Sequence, residues 1–359
     1  MTKILFVMET GLGHVTVYKN LKVAAERTPG IEARFETVTF DEPGLLGRIP
    51  RLRNDIVLRG GLQARQKVLR AVKADPPDVL FLHTQMVSVL LDDVMRRIPT
   101  AISLDSTPKQ FLKLGPHYGF SSDPETILER RRDRWYRRAF SACARLFPYT
   151  QWTANSLVQD YDVDPAKIQI FAHGVDLEQW QPGPKADAQP GDSLRLLFVG
   201  GDFTRKGGDL LLRWMRERAP DYCELDMVTG ADVPPTPRVT VHSGLSSNDP
   251  KLRALFAGAD LFVLPTRADC TPQVIMEAMA SGLPVLTTEI AALPDMLGGK
   301  GVLIPPDDYE ALAAALDHLD QARPTLRTMG HAARTRAEAA YNGPRNLGEE
   351  LDALRGLAR

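Results

Sequence analysis

Short apolar runs alternate with helically spaced apolar residues along the first half of the chain. The runs Ile4–Met8, Val79–Leu82 and Ala101–Leu104 are typical of buried strands. After the first run, the helically spaced residues are Val17, Leu21, Ala24 and Ala25. Strands that alternate with helices predict βαβ units and a parallel sheet.

The same order of elements starts again after residues 181–192, a segment of linker composition rich in proline and glycine. The second half predicts a strand at Leu194–Val199, a loop at Gly200–Gly201, a helix around Asp209–Arg218, strands at Leu261–Pro265, Gly282–Thr287 and Gly301–Pro305, and a helix at Tyr309–Leu319. We therefore predict an α/β fold of two doubly wound, parallel-sheet (Rossmann-like) domains facing a central cleft. They span residues 1–180 and 193–340, and we expect residues 341–359 to form a helix that packs back on the first domain.

Composition fits two globular domains, with 359 residues of which 43% are hydrophobic and 25% charged. A net charge of -1 argues against a nucleic-acid-binding protein. The three cysteines are widely spaced, which argues against a disulfide framework and a cysteine-rich zinc site. The N-terminus reads as a strand, and no run reaches the ~18 apolar residues of a membrane span. We expect a cytoplasmic protein.

The segment Pro265–Val285 carries the strongest functional pattern. A strand ends at Pro265, a loop holds Asp269, and a helix starts near Pro272. The helix start, formed by Thr271, Pro272, Gln273 and Val274, could bind phosphate through its free N–H groups. Glu277, one turn inside, could accept both ribose hydroxyls, and Asp269 would lie on the sugar side. The alternative is that Glu277 is a buried helix residue paired with a basic group.

A second loop, from Gly200 and Gly201 to Arg205 and Lys206, follows the strand Leu194–Val199. Two cations facing a pyrophosphate would stabilise the charge that develops on a leaving group. The alternative is a solvated surface turn.

Polar residues also follow the strands of the first half. Gly11, Gly13 and His14 come after the first strand, but Thr16 stands where a dinucleotide fingerprint needs a third glycine. His14 either binds the acceptor or caps the following helix. His83 and Asp105 end the next two predicted strands and are expected to face the cleft. His83 is alternatively a core histidine bonded to backbone, and Asp105 or Ser106 a simple helix cap.

These motifs together resemble the family 4 retaining glycosyltransferases, which have the GT-B fold. In that family an acidic residue is followed after seven residues by Glu, then Ala-Met-Ala, Gly and Pro-Val, and Asp269, Glu277, Ala278–Ala280, Gly282 and Pro284–Val285 match this pattern. Phe198–Gly200 with Arg205–Gly207 looks like the family's phosphate-binding loop. Phe171–Asp176 resembles the segment that leads into its linker, where we interpret His173 as a turn residue.

The chain departs from the family pattern at several positions, one of which is Cys270-Thr271-Pro272 in place of the usual Gly-Phe-Gly. Asp269 stands where the family usually has Glu, Gly201 where it has Arg, and Asp105 where it often has His. The shorter Asp269 reaches about one methylene less far, so sugar recognition is expected to differ.

The resemblance implies a retaining, metal-independent glycosyltransferase. It would move a sugar from a nucleotide-diphosphate sugar, its co-substrate, to a saccharide or lipid-linked acceptor, with no further cofactor. Asp105, Asp269, Arg205 and Lys206 would be the catalytic residues. Two alternatives remain open: a protein that binds nucleotide sugar without transfer, and a GT-B relative that acts as a sugar-nucleotide epimerase or hydrolase.

Two basic stretches suggest a further partner. Residues 48–73 hold eight basic residues and one acid, and residues 130–138 form a second cluster with aromatic side chains. Such amphipathic stretches can lie on an anionic membrane, here the inner membrane face. The alternative is a solvated helix face with structural ion pairs. Asp162–Asp164 has the form of a metal-binding DxD, but we interpret it as a chance match.

Overall fold

The structure is a computed structural model that describes residues 1–11, 14–39, 55–119, 123–184, 188–247 and 249–358. The chain forms two compact units. The first comprises Met1–Gly115, Ser121–His173 and Pro344–Arg359, and the second Pro116–Phe120 and Gly174–Gly343. Residues 174–180, which the sequence analysis placed in the first domain, thus belong to the second unit. No sequence pattern predicted that residues 116–120 would belong to the second unit.

The first unit is built on a parallel sheet. Its strands in the described residues are β1 (Thr2–Glu9), β2 (Ile31–Val38), β3 (Val79–His83), β4 (Thr100–Leu104) and β5 (Arg145–Pro148). Their order across the sheet is β2-β1-β3-β4-β5. The α-helices of this unit that precede residue 173 are, in the described residues, α1 (His14–Arg27), α2 (Ile56–Ala74), α3 (Gln85–Ser88), α4 (Asp92–Met95), α5 (Pro108–Leu114), α6 (Ile127–Ala142) and α7 (Gln151–Tyr161).

Both faces of this sheet are buried, which explains why its central strands are continuous apolar runs. Along β3, Phe81 packs in one cluster with Leu21 of α1, whereas Leu80 packs in the opposite cluster with Val68 of α2. The two faces alternate because successive strand side chains point in opposite directions.

The second unit repeats the plan. Its strands are β6 (Leu194–Val199), β7 (Cys223–Val228), β8 (Val239–His242), β9 (Leu261–Leu264), β10 (Val285–Thr288) and β11 (Val302–Ile304), in the order β11-β10-β9-β6-β7-β8. Its helices are α8 (Gly208–Glu217), α9 (Pro250–Gly258), α10 (Gln273–Ala280), α11 (Leu293–Leu297), α12 (Tyr309–Gln321) and α13 (Arg323–Ala340). All strand pairs are parallel, as in the first unit. The predicted α/β fold with two parallel sheets is therefore confirmed.

The last helix, α14 (Gly343–Arg355), lies largely in the first unit. Its Leu351 and Leu354 are fully buried in the cluster that contains Ile4 and Phe6 of β1. The C-terminal segment thus completes the core on the α1 side of the first sheet.

Each sheet has one point where the strand order reverses, and parallel α/β sheets bind ligands outside the carboxyl ends of strands at such a point. In the first unit it lies between β1 and β3, and in the second between β6 and β9. His14, Lys206 and Asp269 lie in the segments that follow β1, β6 and β9, and His83 is the last residue of β3. Topology therefore singles out the same loops that the sequence motifs did.

Candidate functional site

In the second unit, the loops after β6 and β9 are joined by backbone contacts. The Arg267 amide donates to the carbonyl of Arg205 at 2.8 Å, and the Thr266 hydroxyl donates to the same carbonyl at 3.2 Å. Gly207 makes this approach possible, because its φ is +79° and a Cβ there would lie 2.0 Å from the Pro265 carbonyl oxygen. Gly200 is buried at the end of β6, whereas Gly201 is exposed with open space around it.

The two cations of the first loop converge on the carboxylate of the second. Lys206 Nζ contacts Asp269 Oδ2, and Arg205 Nη1 lies 3.9 Å from the same oxygen. The Arg205 guanidinium also donates to the Ala268 carbonyl at 2.6 Å and to Asp202 at 3.1 Å. All three charged side chains of the cluster are more than four-fifths buried. The cluster brings together three of the four predicted catalytic residues.

Burial lowers the pKa of Lys206 to about 7, and the positive charge of Arg205 acts in the same direction. The negative charge of Asp202 acts in the opposite direction, and the Asp269 carboxylate contacts the ammonium directly. An ammonium held in this way is poised to gain stability from any additional anion, such as a diphosphate.

Helix α10 begins beside this cluster, at Gln273, with Pro272 as its N-cap residue. Pro272 makes no side-chain cap hydrogen bond, and its carbonyl accepts from the Ile275 amide at 3.1 Å. Among the described residues, the Gln273 and Val274 N–H groups therefore remain available to an anion. Glu277 is 4% exposed, and burial raises its pKa to about 7. Its partner is the Gln273 amide, which donates at 3.4 Å. The alternative that Glu277 pairs with a basic group is wrong for the described residues.

Tyr118 is a member of this cluster that the sequence analysis missed. It lies in the segment 116–120 that belongs to the second unit, and the Arg205 guanidinium stacks on its ring at 4.5 Å. Arg205 Nη1 also donates to its hydroxyl at 3.4 Å. No spacing signal could have found a partner 87 positions away.

In the first unit, His14 and His83 meet at the point where the sheet order reverses. His83 Nε2 lies 3.1 Å from His14 Nδ1, and His83 Nδ1 lies 2.9 Å from the Tyr149 hydroxyl and 3.0 Å from the Ser103 hydroxyl. His83 is therefore bonded to side chains, and the alternative of a backbone-bonded core histidine is wrong. His14 is the first residue of α1 and turns its ring to His83. Gly11 precedes it, and Gly13 lies outside the described residues.

His173 is not merely a turn residue. Its ring centroid lies 3.6 Å from that of Tyr149 and 6.1 Å from that of His83. Burial lowers the pKa of His173 to about 3 and the pKa of His83 well below its usual value, so both imidazoles are neutral at physiological pH.

Asp105 follows β4 and accepts a hydrogen bond from the Ser106 hydroxyl at 3.1 Å. The capping alternative for these two residues is wrong, because Thr107 caps α5 in a capping box with Gln110. Glu9, at the end of β1, is 6% exposed, and the Thr84 hydroxyl donates to its carboxylate. Burial raises the pKa of Glu9, while His14 lowers it.

The basic stretches are partly structural. Arg132 is bonded to Asp55 and Glu129, and Tyr136 is 5% exposed in the first-unit core. The expected aromatic membrane anchors are thus packed inward, since Trp135 also packs against that core. Residues 48–54 lie outside the described part of the chain.

Asp162 and Asp164 have structural roles. Asp162 ends α7 in a left-handed conformation and pairs with Arg137 at 2.9 Å, and Asp164 caps the next turn. Across the described ranges, no group of three His, Cys, Asp or Glu side chains is arranged to hold a metal ion. Within those ranges, no helix is both long enough and apolar enough to cross a bilayer.

Two family models match the chain. Residues 14–179 match the model described as Glycosyltransferase Family 4, and residues 192–321 match the model described as Glycosyl transferases group 1. Each match covers the strand-loop-helix segments that form the clusters described above.

Curated relatives share about 30% identity with part of the chain. The D-inositol 3-phosphate glycosyltransferase of Segniliparus rotundus is 31% identical over 242 residues, which cover 60% of this chain and 53% of that protein. The MMP alpha-(1->4)-mannosyltransferase of Mycolicibacterium hassiacum is 27% identical over 228 residues, covering 58% and 54%. The chain thus spans about half the length of the curated relatives it matches.

Solved structures share the fold over the whole chain. The sucrose-phosphate synthase from Thermosynechococcus elongatus superposes with a TM-score of 0.75 at 18% identity, covering 99% of both chains. HepE from Anabaena, solved in complex with UDP and glucose, gives a TM-score of 0.69 at 16% identity, covering 99% of this chain and 100% of that one.

Proposed function

Because the chain belongs to the family 4 (group 1) glycosyltransferases and has their GT-B fold, we propose that it transfers a sugar from a nucleotide-diphosphate sugar to a saccharide or lipid-linked acceptor. The observation that carries the proposal is the convergence of Arg205, Lys206 and Asp269 beside the uncapped start of α10. A helix start and two cations suit a diphosphate, and a carboxylate suits sugar hydroxyls.

The donor roles follow from the arrangement of this cluster. Lys206, Arg205 and the N–H groups at the start of α10 would bind the diphosphate, together with the exposed loop at Gly201. Glu277, one turn into the helix, would accept the ribose hydroxyls. When a diphosphate binds, its negative charge would replace that of Asp269 beside Lys206. The Asp269 carboxylate would then accept a hydrogen bond from a sugar hydroxyl.

Transfer would be retaining and would need no divalent metal. The acceptor hydroxyl oxygen bonds to the anomeric carbon as the bond from that carbon to the diphosphate oxygen breaks, and the hydroxyl proton passes to the departing diphosphate. Arg205 and Lys206 stabilise the charge that develops on that group, which is the task a metal ion performs in other enzymes. The first unit would supply acceptor-binding groups from His14 and Asp105, with the fully buried His83 bonded to His14 behind them.

Acceptor-dependent release of nucleoside diphosphate tests this function. Purified protein is incubated with UDP-, GDP- and ADP-sugars, each with and without an acceptor. The names of the relatives suggest D-inositol 3-phosphate as the first acceptor to use. Release that requires both substrates, with a product whose anomeric configuration matches the donor, supports the proposal. Conversion of the donor without any acceptor would favour the epimerase or hydrolase alternative, and binding without conversion would favour a non-transferring protein.

We also propose peripheral contact with an anionic membrane. Ile127 and Leu128 at the start of α6 are 85% and 45% exposed, and Arg130, Arg131 and Arg134 on the same helix are exposed. Flotation with phosphatidylglycerol vesicles tests this contact. Binding should fall in Ile127→Asp, whereas Val241→Asp, a control at an apolar residue 41% exposed in the second unit, should bind as wild type. Equal flotation of both variants, or none by wild type, would contradict the contact.

A further inference from the structure

The histidine pair of the first unit has a defined arrangement of protons. His83 Nε2 and His14 Nδ1 are 3.1 Å apart, so one nitrogen must donate a hydrogen and the other must accept it. His83 is fully buried and neutral, and therefore carries one ring proton, on either Nδ1 or Nε2. The partners of Nδ1 decide which of the two nitrogens carries this proton.

At that side, His83 Nδ1 and two hydroxyl groups form a buried triangle. The Tyr149 oxygen lies 2.9 Å from Nδ1, the Ser103 oxygen 3.0 Å from it, and the two oxygens 3.2 Å from each other. Tyr149 is 4% exposed and Ser103 is 1% exposed. Each hydroxyl proton therefore needs an acceptor, because an unmet buried donor is costly.

Counting protons selects one tautomer. If Nδ1 carries a lone pair, one hydroxyl donates to Nδ1 and the other to its neighbour, and both protons are used. If Nδ1 carries a hydrogen, the triangle holds three protons but only the two oxygens can accept, and one hydroxyl proton has no partner among the described residues. The first arrangement is favoured, and it places the proton of His83 on Nε2.

The same logic continues to His14. His83 Nε2–H donates to His14 Nδ1, so a neutral His14 carries its own proton on Nε2. Within the described residues His14 Nε2 makes no further hydrogen bond, and the side chain is half-buried. The Glu9 carboxyl is a charged neighbour of His14 and accepts a hydrogen bond from the Thr84 hydroxyl, and Asp105 lies near Glu9 in turn.

We propose that Tyr149, Ser103 and His83 form a hydrogen-bonded relay that fixes His14 in its Nε2–H tautomer, so that His14 presents a hydrogen-bond donor to an oxygen of the acceptor. The acceptor half of this inference rests on the proposed glycosyl transfer, whereas the tautomer half stands on the geometry alone. Tyr149, Ser103 and His83 are positioning residues, and of the four residues in the relay only His14 touches the ligand. Its location after β1, where the sheet order reverses, is where an α/β sheet binds ligands.

The tautomers can be read from the ¹⁵N shifts of the imidazoles in the full-length labelled chain. His14→Gln and His83→Gln variants assign two of the seven histidines. Wild type should show His14 and His83 both protonated on Nε2. In a Tyr149→Phe/Ser103→Ala double variant both hydroxyls are gone, and both imidazoles should show mixed tautomers. A wild-type His14 protonated on Nδ1, or tautomers that survive the double variant unchanged, would overturn the relay.

Kinetics test the acceptor half. The double variant should raise the acceptor KM by about twofold, because mixed tautomers leave only part of the His14 population with an Nε2–H donor, and donor affinity should be unchanged. His14→Leu, which removes the hydrogen bond altogether, should raise the acceptor KM roughly tenfold. His14→Gln, which keeps an N–H donor, should lose less than His14→Leu, and Tyr222→Phe in the second unit is the matched tyrosine control. Equal acceptor KM values in wild type and His14→Leu would overturn this half. Absence of transfer by wild type to any acceptor would refute the proposed function and leave the relay to the ¹⁵N measurement.

Discussion

Single residues decide how this protein would bind an anion, and Lys206 is the most informative. The loop motif in the sequence predicts that Lys206 binds a pyrophosphate, and this role remains a prediction. What the sequence could not supply is the contact with Asp269, 63 positions away, because tertiary structure alone brings the two loops together. Tyr118, Tyr149 and Ser103 escaped prediction for the same reason.

Affinity for a sugar nucleotide should depend on the charge of Lys206. With a pKa of about 7 in the free protein, Lys206 is charged below pH 7 and loses its proton as pH rises. A bound diphosphate favours the charged form, so binding above pH 7 takes up a proton, and affinity should fall by up to about tenfold per pH unit. Calorimetry between pH 6 and 9 measures this, and a sugar nucleotide is suitable because its diphosphate does not titrate there. Lys206→Ala should bind weakly with no such slope, and a slope that persists in this variant would contradict the assignment.

The buried carboxylate of Glu277 should destabilise the folded protein, although we propose that it binds the ribose of the donor. Its pKa is about 7 in the folded protein, above the ordinary value of 4.5, so the folded state binds its proton more tightly than the unfolded state does. The cost of burying its charge grows as pH rises from about 4.5 to 7 and is complete above 7. Glu277→Gln should therefore be more stable than wild type at pH 8, by up to about 3 kcal/mol, and nearly equal at pH 4.

The same variant should bind sugar nucleotides roughly 10- to 100-fold more weakly, since an amide is a poorer acceptor for two hydroxyls. Thermal melts and calorimetry measure the two effects, with Glu310→Gln on α12 as an exposed control. A Gln variant that is less stable at both pH values yet binds normally would identify Glu277 as a structural residue.

At the scale of elements, apolar patterning predicted much of the fold. The helix expected around residues 209–218 is α8, at Gly208–Glu217, and the strand expected at residues 79–82 is β3, one residue longer. The patterning missed β2, β5, β7 and β8. The strands β2 and β5 are the two edges of the first sheet, and β8 is an edge of the second. The internal strand β7 escaped because Glu224 and Asp226 interrupt its apolar run. Edge strands lack the buried apolar run that marks a central strand.

The loop after β6 should tolerate change at one glycine and not at another. Gly207→Ala forces a Cβ to within 2.0 Å of the Pro265 carbonyl oxygen at a φ of +79°, and should destabilise the protein by roughly 2–4 kcal/mol and weaken donor binding. Gly201→Ala meets no atom within 4 Å and should be as stable as wild type. Denaturant melts of the pair measure this. Equal stability of the two variants would show that the loop packs differently from the arrangement described.

At the scale of the whole molecule, the two units repeat one plan with different side chains. The point of reversed strand order holds two cations and a carboxylate in the second unit, and imidazoles with hydroxyls in the first. The family resemblance gave the fold and the division of labour, whereas the first-unit cluster had only weak local motifs. Its members come from β3, β4, α1 and the segment after β5, which topology alone assembles.

Transfer should be insensitive to metal chelation, because Arg205 and Lys206 supply the positive charge at the diphosphate. Activity measured after dialysis against EDTA should equal that of untreated protein, and added Mg²⁺ or Mn²⁺ should not raise it. A strict requirement for a divalent ion would refute the metal-free mechanism.

Binding of sugar nucleotides to wild type and to Lys206→Ala, with Lys251→Ala as an exposed lysine control in the same unit, tests the central claim most directly. A thermal-shift screen with UDP-, GDP- and ADP-sugars detects any ligand that binds the folded state. We predict a rise in Tm with one nucleotide class, retained in Lys251→Ala and lost in Lys206→Ala while that variant remains folded. A shift with none of the three classes, or one of equal size in Lys206→Ala, would contradict a donor site built on this cluster.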